Sequence, residues 1–228
     1  YSVTMLSNRA NLSHRLDNFR CKSLLQNINS IESLPLERPD WMDCVRWAQI
    51  QKLKAQADKQ RCYVSGYLLD VMCRDLGIVN PVYAYTANGK PYFNGEDCTF
   101  NISHSGDYAA LAYHTGPKPV GVDIQKLRPM RDGMERRLLH EREKALLPEE
   151  ERARLKDLNR IWAVKESFVK MTGEGLSRDF RTVCVDFSNQ TVTGDDGVKG
   201  SFLVWEWKEE YYLAVCTADK EETEIIET

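Results

Sequence analysis

Apolar residues along this chain recur with two periods. Ile161, Val164, Phe168 and Met171 stand three and four residues apart, the spacing of a helix with one buried stripe. Gly173 and Gly175 follow the last of them, where a left-handed cap ends a helix. The charged stretch Glu149–Asn159 leads into this helix. At about 100° per residue, Glu166 and Lys170 fall opposite the stripe, and taken alone they read as an exposed i, i+4 bridge. A second helical stretch runs from Trp41 through Met72, with Ala57, Val64, Leu68 and Val71 as its buried stripe. Leu12, Leu16, Phe19, Leu24 and Ile28 predict a surface helix over Arg9–Ile31. Its basic bias (Arg9, Arg15, Arg20 and Lys22 against Asp17) also suits a transit peptide, but nothing marks a cleavage site. Arg136–Leu147 reads as a further helix.

The other period is two. Val120, Val122 and Ile124 alternate with Gly121, Asp123 and Gln125, as on a half-buried strand. Asn88-Gly89 between aromatic, extended runs predicts a hairpin. Phe100-Asn101-Ile102-Ser103-His104-Ser105-Gly106 reads as a strand end running into a loop that carries His104, with Tyr108–Tyr113 as the next strand. Thr182–Phe187, Ser201–Trp207 and Tyr211–Thr217 predict three more, and Tyr1–Leu6 a short one. Five acids among the last ten residues predict a frayed end. His114–Pro119, rich in turn formers, divides the chain into an N-terminal half, 1–118, and a C-terminal half, 119–228. Each half has a major helix followed by strands.

The 228 residues, 42% apolar and 29% charged, describe an ordinary soluble protein with ample material for a core. No apolar run reaches the ~20 residues that span a bilayer. A formal net charge of −3 argues against general nucleic-acid binding. Between Lys126 and Arg142, six Lys/Arg face three acids, a surface that would steer in an acidic protein. Seven scattered cysteines without a Cys-x-x-Cys pair argue against a zinc site and for free thiols in a cytoplasmic protein.

The candidate chemistry lies in four blocks. They are Gly89-Lys90-Pro91, Phe100-Asn101-Ile102-Ser103-His104-Ser105, Gly121-Val122-Asp123-Ile124-Gln125 and the Trp162–Lys170 stretch with Lys165-Glu166. A hard divalent cation such as Mg²⁺ takes one or two carboxylates with water and phosphate, which Asp123 and Glu166 can supply. Ser-His-Ser has no Gly-x-Ser-x-Gly elbow around it.

In this order and spacing the blocks resemble the 4′-phosphopantetheinyl transferases of the Sfp type, over roughly Lys54 to Thr217. The resemblance implies an α+β fold of two pseudo-symmetric halves. Each would be a small antiparallel sheet packed against a long helix, with the active site in the cleft between them. It implies transfer of the 4′-phosphopantetheine arm of coenzyme A to a serine of an acyl- or peptidyl-carrier protein, by a monomer. Mg²⁺ would be held by Asp123, Glu166 and Gln125, the last standing where bacterial prototypes usually have a third carboxylate. Glu166 and Lys170 would be catalytic, with Glu166 or a water it orients accepting the serine proton. Lys90, Ser103, His104 and Lys170 would meet the coenzyme A phosphates, and Lys54 and Arg61 the 3′-phosphate. Glu143 lies near where the family has a helix-borne glutamate that helps the metal site. The alternatives are an inactive relative that binds coenzyme A or carrier, an Mg²⁺-dependent phosphohydrolase, and an interaction domain.

Overall fold

The computed structural model describes residues 5–6, 21–31, 33–86 and 90–228. In chain order its elements are β1 (Met5–Leu6), β2 (Cys21–Asn27), α1 (Cys44–Lys52), α2 (Gln56–Leu76), β3 (Tyr83–Tyr85), β4 (Pro91–Phe93), β5 (Cys98–Ser105) and β6 (Tyr108–Thr115). Then follow β7 (Val120–Lys126), α3 (Met134–Leu138), α4 (Glu141–Lys144), α5 (Glu151–Thr172), β8 (Val183–Asp186), β9 (Thr191–Gly194), β10 (Lys199–Trp207), β11 (Tyr211–Thr217) and β12 (Thr223–Glu227). The fold is α+β, and the chain divides into two compact units, Tyr1–Lys118 with Thr223–Thr228, and Pro119–Glu222.

In the first unit the sheet order is β1-β12-β2-β6-β5. It is mixed rather than antiparallel: β12 runs parallel to both β1 and β2, while β2–β6 and β6–β5 are antiparallel. The long helix α2 covers it with Val64, Leu68, Leu69 and Met72, which meet Leu24, Phe100 and Leu111 in one core. Ala57, expected in that stripe, is exposed. Gly77, in the left-handed region (φ 68°), ends α2.

Further expectations fail in this unit. Cys21–Asn27, read as part of a helix, is a strand paired on both sides, by β12 and β6. A central strand buried on both faces, as at Leu24 and Leu25, has no alternation to show, so Leu24 and Ile28 satisfied a helical template by coincidence. The rest of that expected helix, residues 9–20, lies outside the described residues, as does the turn Asn88-Gly89. Around that turn β3 and β4 pair antiparallel, Tyr85 opposite Pro91. The helix expected from Trp41 to Met72 is two helices, because Leu53 and Ala55 are extended. Asp43 caps α1 by accepting from the Arg46 amide at 2.8 Å, and α1 folds back on α2. At Gly66 a Cβ would stand 2.8 Å from Arg46 Cδ, so the arginine stem crosses α2 where no side chain intervenes. The last residues do not fray: β12 is hydrogen-bonded between β1 and β2 and buries Ile225.

The second unit is an antiparallel sheet, β7-β11-β10-β9-β8, with α5 laid across one face. Val164, Phe168 and Met171 of α5 join Tyr212, Ala214, Cys216 and Phe202 in its core. The charged stretch from Glu151 is continuous with the central helix, as the pattern predicts. β9 is an additional strand, and the turn at Asp195-Asp196-Gly197 joins it to β10. The helix expected over Arg136–Leu147 is split into α3 and α4, because Leu139 is extended and His140 starts a new helix as its cap.

Candidate active site

The site of the second unit begins with an absence of side chain. A Cβ on Gly121 would lie 1.9 Å from the Ser167 carbonyl oxygen and 2.5 Å from the Met171 nitrogen. Strand β7 therefore touches the backbone of α5 there, and only glycine allows it. Side chains two residues apart share a face of a strand, so Asp123 and Gln125 also face α5. Lys170 Nζ donates to Asp123 Oδ1 at 2.6 Å and to the Val122 carbonyl at 3.2 Å. Glu166, one turn earlier on α5, is buried with its carboxyl pushed up to about 7, first by burial and then by the Asp123 charge, with Lys170 opposing.

The helix face that pattern alone presented as exposed is thus closed over by β7. From Ala163 to Val169 every residue of α5 is buried. Gln125 is buried as well, and its amide donates to the Lys126 carbonyl at 3.0 Å. Among the described residues no group of three His, Cys, Asp or Glu side chains is arranged to hold a metal. Two buried carboxylates whose charges oppose each other, with a carboxamide on the same face, nonetheless fit a Mg²⁺ ion that draws its other ligands from water and phosphate.

Two side chains organise this site without having been assigned a role from the motif blocks. Asn159, fully buried on α5, donates to the Arg128 carbonyl at 3.0 Å and accepts from the Arg128 amide at 3.4 Å. It ties the exit of β7 to the helix. Its position two helical turns before Glu166 is the signal that it shares Glu166's face. Lys165 is fully buried, and its ammonium donates to the Leu138 carbonyl (2.7 Å), the Phe180 carbonyl (3.0 Å) and Glu143 Oε2 (2.7 Å). Glu143 Oε1 in turn accepts from the Val185 amide at 2.8 Å, and Oε2 also from the His140 amide at 2.8 Å. Both oxygens of Glu143 are thereby engaged in fixing α4, β8 and α5. Lys165 stands four residues after Ile161, inside the apolar stripe, and that misplacement marks it as a buried charge.

The first unit holds the remaining candidates. Lys54 is exposed in the extended link between α1 and α2, not on a helix. Arg61 on α2 pairs with Asp58 at 2.5 Å and donates to the Gly106 carbonyl at 3.0 Å, bracing the β5–β6 turn. The Lys90 amide donates to Thr86 Oγ1 at 3.1 Å at the base of the β3–β4 hairpin. Ser103 and His104 belong to β5 rather than to a loop, since that strand continues to Ser105. The pleat sends the two to opposite faces, Ser103 buried and His104 exposed.

Residues 119–216, almost the whole second unit, match the model of the 4′-phosphopantetheinyl transferase superfamily. The resemblance read from the motif blocks is borne out. Among curated relatives, a 4′-phosphopantetheinyl transferase of Bacillus subtilis is 35% identical over 136 residues, 57% of this chain and 60% of that protein. The 4′-phosphopantetheinyl transferase pptA of Paxillus involutus is 28% identical over 174 residues, 65% of each chain. An L-aminoadipate-semialdehyde dehydrogenase-phosphopantetheinyl transferase of Xenopus laevis is 35% identical over 127 residues, 49% of this chain and 41% of that protein. The chain thus spans between two fifths and two thirds of the length of these relatives. No described helix is long and apolar enough to cross a membrane.

Proposed function

We propose that this protein transfers the 4′-phosphopantetheine arm of coenzyme A to a serine hydroxyl of an acyl- or peptidyl-carrier protein. The observation that carries the reading is the group Asp123, Lys170 and Glu166, gathered against Gly121 in the segment that matches the superfamily. Asp123 and Glu166, with Gln125 beside them, would hold Mg²⁺, which when bound supplies positive charge to the pyrophosphate oxygens. The serine oxygen forms a bond to the phosphorus bearing the pantetheine arm, and the bond from that phosphorus to adenosine 3′,5′-bisphosphate breaks. Glu166, or a water it orients, takes the serine proton. A carboxyl pushed up to about 7 suits a base working near neutral pH. Lys170 balances the charge that develops on the departing phosphate, and Lys90, Ser103, His104, Lys54 and Arg61 of the first unit bind the phosphates of coenzyme A.

Chromatography of the nucleotide products tests this reading. Adenosine 3′,5′-bisphosphate is expected from coenzyme A only when Mg²⁺ and an apo carrier with its acceptor serine are both present, and not with a Ser→Ala carrier. Inorganic phosphate released without any carrier would instead make the protein a phosphohydrolase.

A further inference from the structure

A carboxylate offers a cation two equivalent oxygens, whereas the carboxamide of Gln125 offers one oxygen and one NH2 group that repels it. Which end faces a metal is therefore decided by what holds the amide. Gln125 Nε2 donates to the Lys126 carbonyl at 3.0 Å, and that leaves Oε1 as the end for a cation.

The Lys126 carbonyl is aimed by the peptide to which it belongs. The N–H of that peptide, on Leu127, donates to the Glu210 carbonyl at 2.6 Å, just past the last ladder pair of β7 with β11, Lys126 opposite Tyr211. In a trans peptide the carbonyl points opposite to the N–H, so the Lys126 oxygen turns away from β11. There it receives the Gln125 amide, much as the Val122 carbonyl receives Lys170 at 3.2 Å.

Beyond Leu127 the strand has left its ladder, and Pro129 has no N–H with which to rejoin it. Arg128 is taken up by Asn159 of α5 instead. Its carbonyl accepts from Asn159 Nδ2 at 3.0 Å and its amide donates to Oδ1 at 3.4 Å, the two bonds that a neighbouring strand would supply. Nδ2 also donates to the Leu155 carbonyl at 2.9 Å, which fixes the way the Asn159 amide faces, and the side chain is fully buried. Helix α5 thus grips β7 at two points, at Gly121 and at Arg128, with Asp123 and Gln125 between them.

We propose that Asn159 is a positioning residue for Gln125. By fixing Arg128 it holds the Lys126–Leu127 peptide, whose carbonyl keeps the Gln125 amide turned so that its oxygen, not its NH2, is offered to Mg²⁺. This rests on the function proposed above, in which Asp123, Glu166 and Gln125 hold the ion. A carboxylate at position 125 has no wrong end, so Asn159 matters to the metal only while residue 125 is glutamine.

Calorimetric titration of the full chain with Mg²⁺, with coenzyme A present and no carrier, reads the metal without the transfer reaction. Asn159→Leu, similar in volume but unable to hydrogen-bond, is expected to raise the Kd for Mg²⁺ roughly 10-fold. In a Gln125→Glu background the same change should raise it less than about 2-fold, a coupling that loss of packing alone would not produce. Asn159→Ser, which keeps a hydroxyl in a shorter side chain, serves as a second variant and should show the same dependence on residue 125. Val192→Ala, a core truncation on β9, should lower the melting temperature and leave the Kd unchanged. An equal rise in Kd in both backgrounds, an unchanged Kd in folded Asn159 variants, or no Mg²⁺ binding by the wild type overturns this role. Mg²⁺ binding in the expected pattern by a protein that never modifies a carrier refutes the proposed transfer and leaves the role of Asn159 standing.

Discussion

Replacing Lys165 by Met keeps a long unbranched side chain on α5 and removes only its ammonium. Three contacts vanish with it, to the Leu138 carbonyl, the Phe180 carbonyl and Glu143 Oε2. Glu143 keeps the amides of Val185 and His140 but is left as a buried carboxylate without a counter-charge. Breaking a buried pair in this way costs about 3–5 kcal/mol, because the remaining charge stays desolvated. For a chain of this size each kcal/mol lowers the melting temperature by about 2–4 °C, so a fall of roughly 6–20 °C is expected. Urea unfolding and calorimetry of Lys165→Met, Glu143→Leu and the double variant give the cycle. The double variant should recover a substantial part of the loss, since neither charge is then stranded. A loss below about 1 kcal/mol in Lys165→Met, or additive losses in the double variant, would refute the reasoning.

Gly121→Ala places a methyl group against the Ser167 carbonyl and the Met171 amide, backbone that cannot turn aside. It should cost about 3 kcal/mol or more and release the Asp123–Lys170 pair, read by urea unfolding and by loss of transfer. Glu166 carries a folded-state pKa of about 7 against 4.5 when unfolded, so metal-free protein binds an extra proton on folding between those values. Its stability therefore falls as pH rises through that window, by about 3 kcal/mol in total. Glu166→Gln should abolish that decline when unfolding is followed from acid to mildly alkaline pH in the presence of a chelator. Gln125→Glu should lower the Mg²⁺ concentration needed for half-maximal transfer without abolishing activity; loss of activity would assign Gln125 another role.

The candidate group at Asp123 was legible in sequence because two simple periods carry it. Alternation put Asp123 and Gln125 on one face of β7, and helical spacing put Glu166 and Lys170 on one face of α5. Their burial was not legible, since it comes from β7 lying on α5 at Gly121, a contact between elements distant in sequence. The same limit explains β2 and β12: a central strand takes its identity from its neighbours, and acidic residues do not prevent a strand from being paired between β1 and β2. Lys165 was visible as a lysine within an apolar stripe, yet its partners Leu138, Glu143 and Phe180 lie 15 to 27 residues away and only the fold brings them together.

The most direct test of the central claim is the intact mass of an apo carrier protein incubated with this protein, coenzyme A and Mg²⁺. The account predicts a carrier heavier by one phosphopantetheine arm with the wild type and an unmodified carrier with Asp123→Ala. A carrier of unchanged mass with the wild type, across acyl- and peptidyl-carrier classes, would contradict it.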